Sequence, residues 1–495
     1  MRSLRLLIAA PLLLVADSAL VRAQEAVSRT PQGGTKAPDG PFLVKPYLQL
    51  GHSRTAGGLI LLWHSGDADS NWDVEYRSGA ERPWQKAQAV SARPIAVSGI
   101  ERHWVRRAVL TGLDKGCAFS YRIRKSGEVI FSGESRAPKG VDQAYRFVAF
   151  GDGGANTAEQ KAIAYRAFQE KPDFVMIPGD IVYGRGRISE YRENFWPVYN
   201  ADQASPSVGA PLLRSTLFVA APGNHDIATR DLERYPDGLA YFLFWDQPLN
   251  GPTGEEGSAH VPKLSGPEAN KQAFLEAAGD AYPRMANFSF EYGNAHWTVL
   301  DSNPYVDWTN PELREWVERD LASAQGATWR FVAFHHPGFN SAREHYEQQQ
   351  MRQMAGVFEA GRVDIVFSGH VHNYQRSYPL HFVPGPDGDD RPVAGKDGKP
   401  ITRGKRITGR WRLDKSFDGV TKTRPDGVIY LITGAGGQHL YNPEQQDDPG
   451  SWQEFTHKFV SKVHSLTVAD VDGATVTVRQ VAADGQQLDR FVLTR

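Results

Sequence analysis

The chain has little cysteine and almost no net charge. Cys117 is the only cysteine in 495 residues, which excludes an internal disulfide. Lys and Arg number 56 against 57 Asp and Glu, so no global field attracts nucleic acid or an anionic membrane, although local clusters stay possible. With 40% hydrophobic residues, the composition is that of a folded protein of roughly two domains, and it leaves the ligand undecided.

Long apolar runs are also scarce, and the one that stands out lies at the N terminus. Arg2 and Arg5 precede an apolar stretch from Leu6 to Val15, and Val21-Arg22-Ala23 has the small residues of a cleavage site. This predicts a signal peptide over residues 1–23 and export to the periplasm or medium. The run is too short to span a bilayer, so no membrane insertion is expected after cleavage; the alternative is an uncleaved anchor.

Turn-rich segments divide the rest of the chain. Residues 24–40 are polar with Pro and Gly, which predicts a linker. Residues 41–140 contain short β-rich runs such as "GLILLWHS" and "WDVEYRS" between Gly, Asp and Ser turns, which predicts an antiparallel β-sandwich. From residue 141 to 495, strands such as "YRFVAF" alternate with helical segments, as around Ala158 to Gln169. The fold class predicted for this second domain is α/β.

Polar side chains follow five apolar strands of the second domain. The strands end in "GDGG", "GDIVY", "GNHD", "HHP" and "GHVH". Because the carboxyl ends of strands line the ligand crevice of an α/β sheet, these side chains are expected to meet at one rim. They are Asp152, Asp180, Tyr183, Asn224, His225, Asp226, His335, His336, His370 and His372.

Each of these motifs alone has an ordinary explanation as a turn or a surface pair. Together they place five of the 15 histidines directly after apolar strands, beside Asp or Asn. Mixed nitrogen and oxygen donors of this kind hold Fe, Zn or Mn. Since neighbouring residues of a strand point to opposite faces, His335 and His336 are not both expected to be ligands. His336 is either a supporting or substrate contact or a packed histidine.

The order G-D-x-G, G-D-x-x-Y, G-N-H-D, V-x-x-H and G-H-x-H resembles the calcineurin-like metallophosphoesterases, and specifically the purple acid phosphatases. The resemblance runs from Tyr145 to about Gly437. Residues 41–140 are similar to that family's fibronectin type III-like domain. The resemblance implies a β-α-β-α-β sandwich of two mixed sheets flanked by helices. It also implies two metal sites that share Asp180, one completed by Asp152, Tyr183 and His372, the other by Asn224, His335 and His370.

The same resemblance implies a secreted phosphatase that hydrolyses phosphate monoesters through a metal-activated hydroxide. Two adjacent metals clamp a phosphoryl group and lower the pKa of bound water towards ~7. His225 follows the ligand Asn224 and is expected to donate to the leaving-group or phosphoryl oxygens. Asp226 either orients His225 or caps a helix. By position, His345 resembles a substrate-contacting histidine, although its segment "NSAREHYEQQQ" departs from the plant pattern.

A departure at Gly154 predicts which metals are bound. Many relatives in the superfamily have a metal-binding histidine there, and glycine cannot ligate. Tyr183 has to compensate, and a phenolate is a hard anionic donor that favours a trivalent ion. The sequence therefore predicts Fe(III) in the first site and a divalent Zn, Mn or Fe in the second.

Two other functions stay open at this point. The metal motifs do not exclude a phosphodiesterase or a nucleotide-directed phosphohydrolase of the same fold. A binding protein that works through its sandwich is the alternative outside enzymes. A phosphate ester is the expected partner, nucleic acid is not expected as a specific one, and the oligomeric state is undetermined. Two insertions, Ala228–Ala286 and Phe382–Arg424, are long enough to be functional or mobile, and substrate choice is expected there.

Overall fold

The structure is a computed structural model that describes residues 40–54, 58–68, 71–385, 393–394, 400–401 and 406–495. Residues 41–495 form one compact unit. The predicted signal peptide and nearly all of the predicted linker lie outside the described residues. Within the described ranges, every helix is too short or too polar to cross a membrane.

The N-terminal part consists of two antiparallel sheets with the strand orders β1-β2-β6-β5 and β4-β3-β7-β8. In β3, Trp72, Val74 and Tyr76 are buried while Asp73 is exposed, the two-residue alternation of a strand with one face in the core. The predicted antiparallel strands are thus present; the division at residue 140 stays a prediction. The strands are β1 Val44–Gln49, β2 Gly58–Ser65, β3 Trp72–Ser78, β4 Gln85–Lys86, β5 Ser91–Ile95, β6 His103–Thr111, β7 Ala118–Lys125 and β8 Glu128–Arg136.

Two larger mixed sheets form the centre of the second part, as expected, and three two-stranded sheets, β11-β12, β19-β22 and β20-β21, accompany them. One of the larger sheets has the order β13-β10-β9-β25-β26-β27 and the other β14-β15-β16-β17-β23-β18-β24. Strands β9, β10 and β13 are parallel to one another, as are β15, β16, β17 and β23. The strands are β9 Tyr145–Ala149, β10 Phe174–Pro178, β11 Asn200–Ser205, β12 Gly209–Pro211, β13 Leu217–Ala221, β14 Phe288–Tyr292, β15 Ala295–Val299, β16 Trp329–Ala333, β17 Ile365–Ser368, β18 Tyr374–Ser377, β19 Leu380–Pro384, β20 Val393–Ala394, β21 Pro400–Ile401, β22 Gly409–Leu413, β23 Ile429–Thr433, β24 Thr456–Val460, β25 Ser465–Asp472, β26 Thr475–Ala482 and β27 Gln487–Thr494.

Aromatic side chains fill the space between these two sheets. The ring of Phe147 on β9 lies 5.1 Å from Trp297 on β15, 5.8 Å from Phe331 on β16 and 5.6 Å from Phe367 on β17, measured between centroids. Burial of such large apolar surfaces is the main favourable contribution to folding. The contacts fix β9 of one sheet against β16 and β17 of the other, and the ends of these strands carry the candidate site.

Helices cover the outer faces of the sheets. Helix Ala158–Gln169 begins where Thr157 accepts a hydrogen bond from the Gln160 amide at 3.0 Å. Helix Pro311–Ser323 begins at the cap Asn310, whose side chain accepts from the Leu313 amide at 3.0 Å. The other α-helices among the described residues are Ile188–Glu190, Trp196–Tyr199, Asn224–Ile227, Tyr241–Phe244, Glu268–Ala278 and Ala355–Ala360, with a π-helical turn at Tyr191–Phe195 and 3₁₀ turns at Gly279–Ala281, Arg284–Ala286, Gln350–Met354, Pro443–Asp447 and Pro449–Ser451.

The first predicted insertion is not an unstructured connection. Residues 228–286 contain helix Glu268–Ala278 and pack against the N-terminal sheets. Arg107 on β6 donates to Asp246 at 2.5 Å, and the guanidinium of Arg93 on β5 donates to the carbonyls of Leu243 and Ala277. The insertion therefore holds the two parts of the chain together. The second insertion is described only in part.

Candidate metal centre

Five parallel strands deliver the predicted donors to one edge of the two sheets. Asp152 follows β9, Asp180 follows β10, Asn224 begins the helix after β13, His335 follows β16, and the two histidines His370 and His372 follow β17. The backbones of Asp152, Asp180 and His370 have φ values of 60°, 50° and 67°. Left-handed backbone is uncommon for residues other than glycine, and here it occurs at three of the seven predicted donors. The structure thus brings these residues together at the strand ends, as the sequence pattern predicts.

Asp180, His335 and His370 form the centre of one donor group. Each offers one atom, these atoms lie within 4.8 Å of one another, and all three residues are buried. The Nε2 of His335 is 3.2 Å from Asp180 Oδ2, 3.1 Å from Asn224 Oδ1 and 3.2 Å from His370 Nδ1. Four atoms with lone pairs therefore face one small space.

Asp152, Tyr183 and His372 form a second group beside the first. The Tyr183 hydroxyl lies 3.0 Å from Asp152 Oδ1 and 2.9 Å from His372 Nε2, and Nε2 is 3.5 Å from Asp152 Oδ1. The Asp152 carboxylate also accepts from the His370 amide at 2.9 Å, which joins the two groups. All seven predicted ligands lie in this pair of adjoining groups.

Hydrogen bonds on the far side of each imidazole fix which nitrogen faces the site. The outer nitrogens of His335 and His372 donate to the carbonyls of Pro178 at 2.9 Å and His439 at 2.8 Å, and that of His370 lies 2.9 Å from Gln348 Oε1. An imidazole that donates from one nitrogen presents a lone pair on the other. The three rings are thus oriented as metal ligands are.

The buried charges and the pKa shifts of these residues favour binding of a cation in this space. Burial lowers the pKa of His335, but the charge of Asp180 prevails and raises it to about 9, so in the absence of a metal the ring carries an extra proton between the donors. Burial and the carboxylates of Asp152 and Asp180 raise the pKa of Tyr183, while burial and the neighbouring rings of His336 and His345 lower that of His370. A bound cation would take the place of the extra proton and stabilise the buried carboxylates.

Gly154 lies against the backbone of the strand end that leads to Tyr183. A Cβ at this position would overlap the carbonyl oxygen of Ile181, and the Tyr183 amide donates to the Gly154 carbonyl at 2.8 Å. No side chain fits there without movement of this backbone. The absence of a histidine at position 154 and the presence of Tyr183 are therefore parts of one local structure.

His225 faces the donor groups from the helix Asn224–Ile227. Its Nδ1 lies 3.0 Å from the Gly184 carbonyl oxygen and donates to it, and its Nε2 lies 4.0 Å from Asp180 Oδ2. The side chain is 30% exposed, so solvent reaches it. This geometry suits a proton donor beside the site.

Asp226 is buried and its carboxylate binds backbone amides. It accepts from Gly223 at 2.8 Å, from Ile181 at 3.0 Å and from Val182 at 3.3 Å. This arrangement favours the helix-cap alternative and links the helix to the loop that carries Asp180 and Tyr183. The orienting role of Asp226 towards His225 remains a prediction.

Asp226→Asn separates the two roles. The amide group faces backbone donors that it cannot satisfy, so we expect the free energy of unfolding to fall by about 2 kcal/mol. Denaturant unfolding of metal-free protein measures this, with Asp142→Asn, an exposed position, as the control. Unchanged stability together with a slower reaction would support the orienting role instead.

Three further side chains surround the donors. The rings of His336 and His345 lie 4.2 and 4.0 Å from that of His370. His336 contacts Ser302 Oγ at 3.1 Å, so its role as supporting or packed histidine stays open. Tyr441 stacks on His372 at 4.0 Å. Sequence reasoning did not find Tyr441 or Gln348, since both lie in polar loops without a motif.

Residues 145–374 match the model of the calcineurin-like phosphoesterase family. All predicted ligands, His225, Asp226 and His345 lie within this range. This part of the chain therefore matches the family that its motifs suggest.

Within that class the chain is similar to purple acid phosphatases. Purple acid phosphatase 23 of Arabidopsis thaliana is 27% identical over 305 residues, which are 56% of this chain and 58% of that protein. Probable inactive purple acid phosphatase 27 of the same plant is 23% identical over 360 residues, 64% of this chain and 52% of that protein. The chain spans about half the length of the curated relatives it matches.

The fold is shared with a solved purple acid phosphatase. The structure of PPD1 from yellow lupin (Lupinus luteus) seeds superposes with a TM-score of 0.61 at 16% identity, over 92% of this chain and 75% of that chain. The predicted fold is thus confirmed.

Proposed function

We propose that the protein is a binuclear metal-dependent phosphatase that hydrolyses phosphate monoesters. The observation that carries this proposal is the convergence of seven donors from five strand ends into two adjoining groups, joined where the Asp152 carboxylate accepts from the His370 amide. Because one relative is named as probably inactive, similarity alone does not argue for catalysis. The complete donor set argues for catalysis, and it argues against a binding protein with a degenerate second domain.

The proposed ligands follow the two groups. Asp152, Tyr183 and His372 would hold one metal and Asn224, His335 and His370 the other, and Asp180 would contribute to both. The first group is rich in anionic oxygen and suits Fe(III), while the second has two imidazoles and an amide and suits a divalent Zn, Mn or Fe. When bound, such a metal pair supplies an activated water and a clamp for phosphoryl oxygens.

The protein's own side chains supply orientation and a proton. His225 Nδ1 donates to the Gly184 carbonyl, and this orients the ring. The Nε2 proton of a protonated His225 then points towards the space in front of Asp180. There His225 donates to a phosphoryl oxygen or to the departing alkoxide oxygen. His345, packed on His370, is proposed to contact the substrate from the opposite side.

Export is part of the proposal. The predicted signal peptide places the mature enzyme in the periplasm or medium, where a phosphate ester is its partner. The N terminus of the purified mature protein tests this: a start at Gln24 is expected, and a retained Met1 would contradict it.

The choice between monoester and diester is tested by an assay of metal-loaded, full-length protein. Aryl phosphate monoesters are expected to give a kcat/KM at least tenfold above that of the matching methyl aryl diesters. Faster hydrolysis of the diesters would replace the proposal with a phosphodiesterase.

His225→Gln should keep both metals and lose rate. Loss of acid catalysis typically costs about 10²–10⁴-fold, so we expect kcat to fall within that range. Metal analysis and monoester kinetics on the same sample measure this. His52→Gln, at a half-exposed histidine that pairs with Asp246 instead, is the matched control. Loss of metal in His225→Gln would show that His225 is a ligand.

A further inference from the structure

The loop Gly184–Arg187 is held rigidly beside His225. The Glu190 carboxylate accepts from the amide of Arg185 at 2.9 Å and from that of Arg187 at 2.9 Å. Gly186 has a φ of 64°, and a Cβ there would overlap the Asp226 carbonyl oxygen. Only glycine fits this approach to the helix that carries His225, so the backbone of the loop is fixed relative to the site.

Arg185 extends from this loop next to His225. Its Nη1 donates to the Gly184 carbonyl at 3.3 Å, and His225 Nδ1 donates to the same oxygen at 3.0 Å. Arg185 and His225 are therefore held by the same carbonyl oxygen, while Nε2 of the His225 ring lies on the side of Asp180. The exposed Arg185 side chain is thus a cation next to the proposed proton donor.

The charge of Arg185 is not neutralised within the described part of the chain. Arg187, two residues further on, forms an ion pair with buried Asp237 at 2.7 Å, whereas Arg185 is exposed and has no acidic partner among the described residues. A structural arginine is typically paired like Arg187. An unpaired guanidinium on a rigid loop is suited to bind an anion from solution.

We propose that Arg185 binds a second anionic group on the leaving-group side of the substrate. This inference rests on the proposed phosphatase function and names its substrate class: phosphate monoesters whose alcohol carries a carboxylate or a further phosphate. His225 serves the reacting phosphate, and Arg185 recognises the additional charge. Arg185 is thereby a specificity-determining residue rather than a catalytic one.

Three aryl monoesters of matched size test the inference: 3-carboxyphenyl phosphate, its uncharged 3-carboxamide analogue, and the ester with a second phosphate in place of the carboxylate. The wild type is expected to favour the charged esters. Because a charge-assisted contact of arginine with an anion is strong, Arg185→Gln should lower the ratio of kcat/KM between charged and uncharged esters about tenfold. The ester most affected identifies whether carboxylate or phosphate is preferred.

Two variants serve as controls. Arg185→Lys keeps the charge and should retain part of the ratio, and Arg490→Gln, at an exposed arginine on edge strand β27, should leave it unchanged. High salt should lower the ratio of the wild type, because exposed charges are screened. An Arg185→Gln ratio within twofold of the wild type would overturn the inference alone. Failure of the wild type to hydrolyse any of the three esters would overturn the proposed function and this inference with it.

Discussion

Asp180→Ala is expected to abolish phosphate ester hydrolysis. Its carboxylate is the donor shared by both proposed metal sites, and one oxygen lies 3.2 Å from His335 Nε2. Without it both metals lose a ligand and the separation between them is no longer fixed, so we expect less than about 10⁻⁴ of the wild-type rate. His370→Ala should have a similar effect on the rate, through one metal.

The folded state should be affected much less than the rate. Burial opposes ionisation of Asp180, although His335 and His225 keep its pKa low, so its removal leaves these histidines without their partner and costs stability as well as metal ligation. Metal analysis and unfolding curves of Asp180→Ala measure both effects, with the exposed Asp142→Ala as control. Near-normal turnover with metal bound would contradict the ligand assignment.

Tyr183→Phe is expected to remove a visible colour. Burial and two carboxylates raise the pKa of Tyr183, so only a strongly binding cation such as Fe(III) can hold it as a phenolate at acid or neutral pH. A phenolate bound to Fe(III) gives a charge-transfer band in the visible. The variant keeps the ring and loses only the oxygen that lies 2.9 Å from His372 Nε2. Absorption spectra of the oxidised, iron-loaded proteins measure this.

Tyr441→Phe is the matched control for this colour. The Tyr441 ring also contacts His372, stacked at 4.0 Å, but its oxygen is not among the proposed ligands, so the band should persist. If Tyr183 is only a packed aromatic residue, both variants will have the spectrum of the wild type. A colourless, iron-loaded and active wild type would refute phenolate ligation and indicate a centre of divalent metals.

The ligands could be predicted from sequence because each lies within a few residues of an apolar strand. Short motifs encode both the strand and the turn after it, so Asp152, Asp180 and His370 were predicted together with their place at the sheet edge. Helix Ala158–Gln169 was predicted for a similar reason, since its helical pattern is local.

Contacts between distant segments could not be predicted in this way. Gln348 and Tyr441 reach His370 and His372 from loops whose sequence has no periodic or motif signal. Residues 228–286 were expected to be an irregular insertion, yet their apolar side chains find partners in the N-terminal sheets, which only the tertiary structure reveals. The surroundings of Arg185 likewise depend on His225 and Asp226, which reach its loop only in the folded chain.

The central claim is that two metals share Asp180, and the metal content of the purified full-length protein tests it most directly. Elemental analysis of the wild type and Asp180→Ala, alongside monoester turnover of the same samples, gives both quantities. We predict two metal ions per chain in the wild type, one of them iron, and a loss of metal and turnover together in the variant. Full monoester turnover by wild-type protein with one metal ion per chain, or none, would contradict the account.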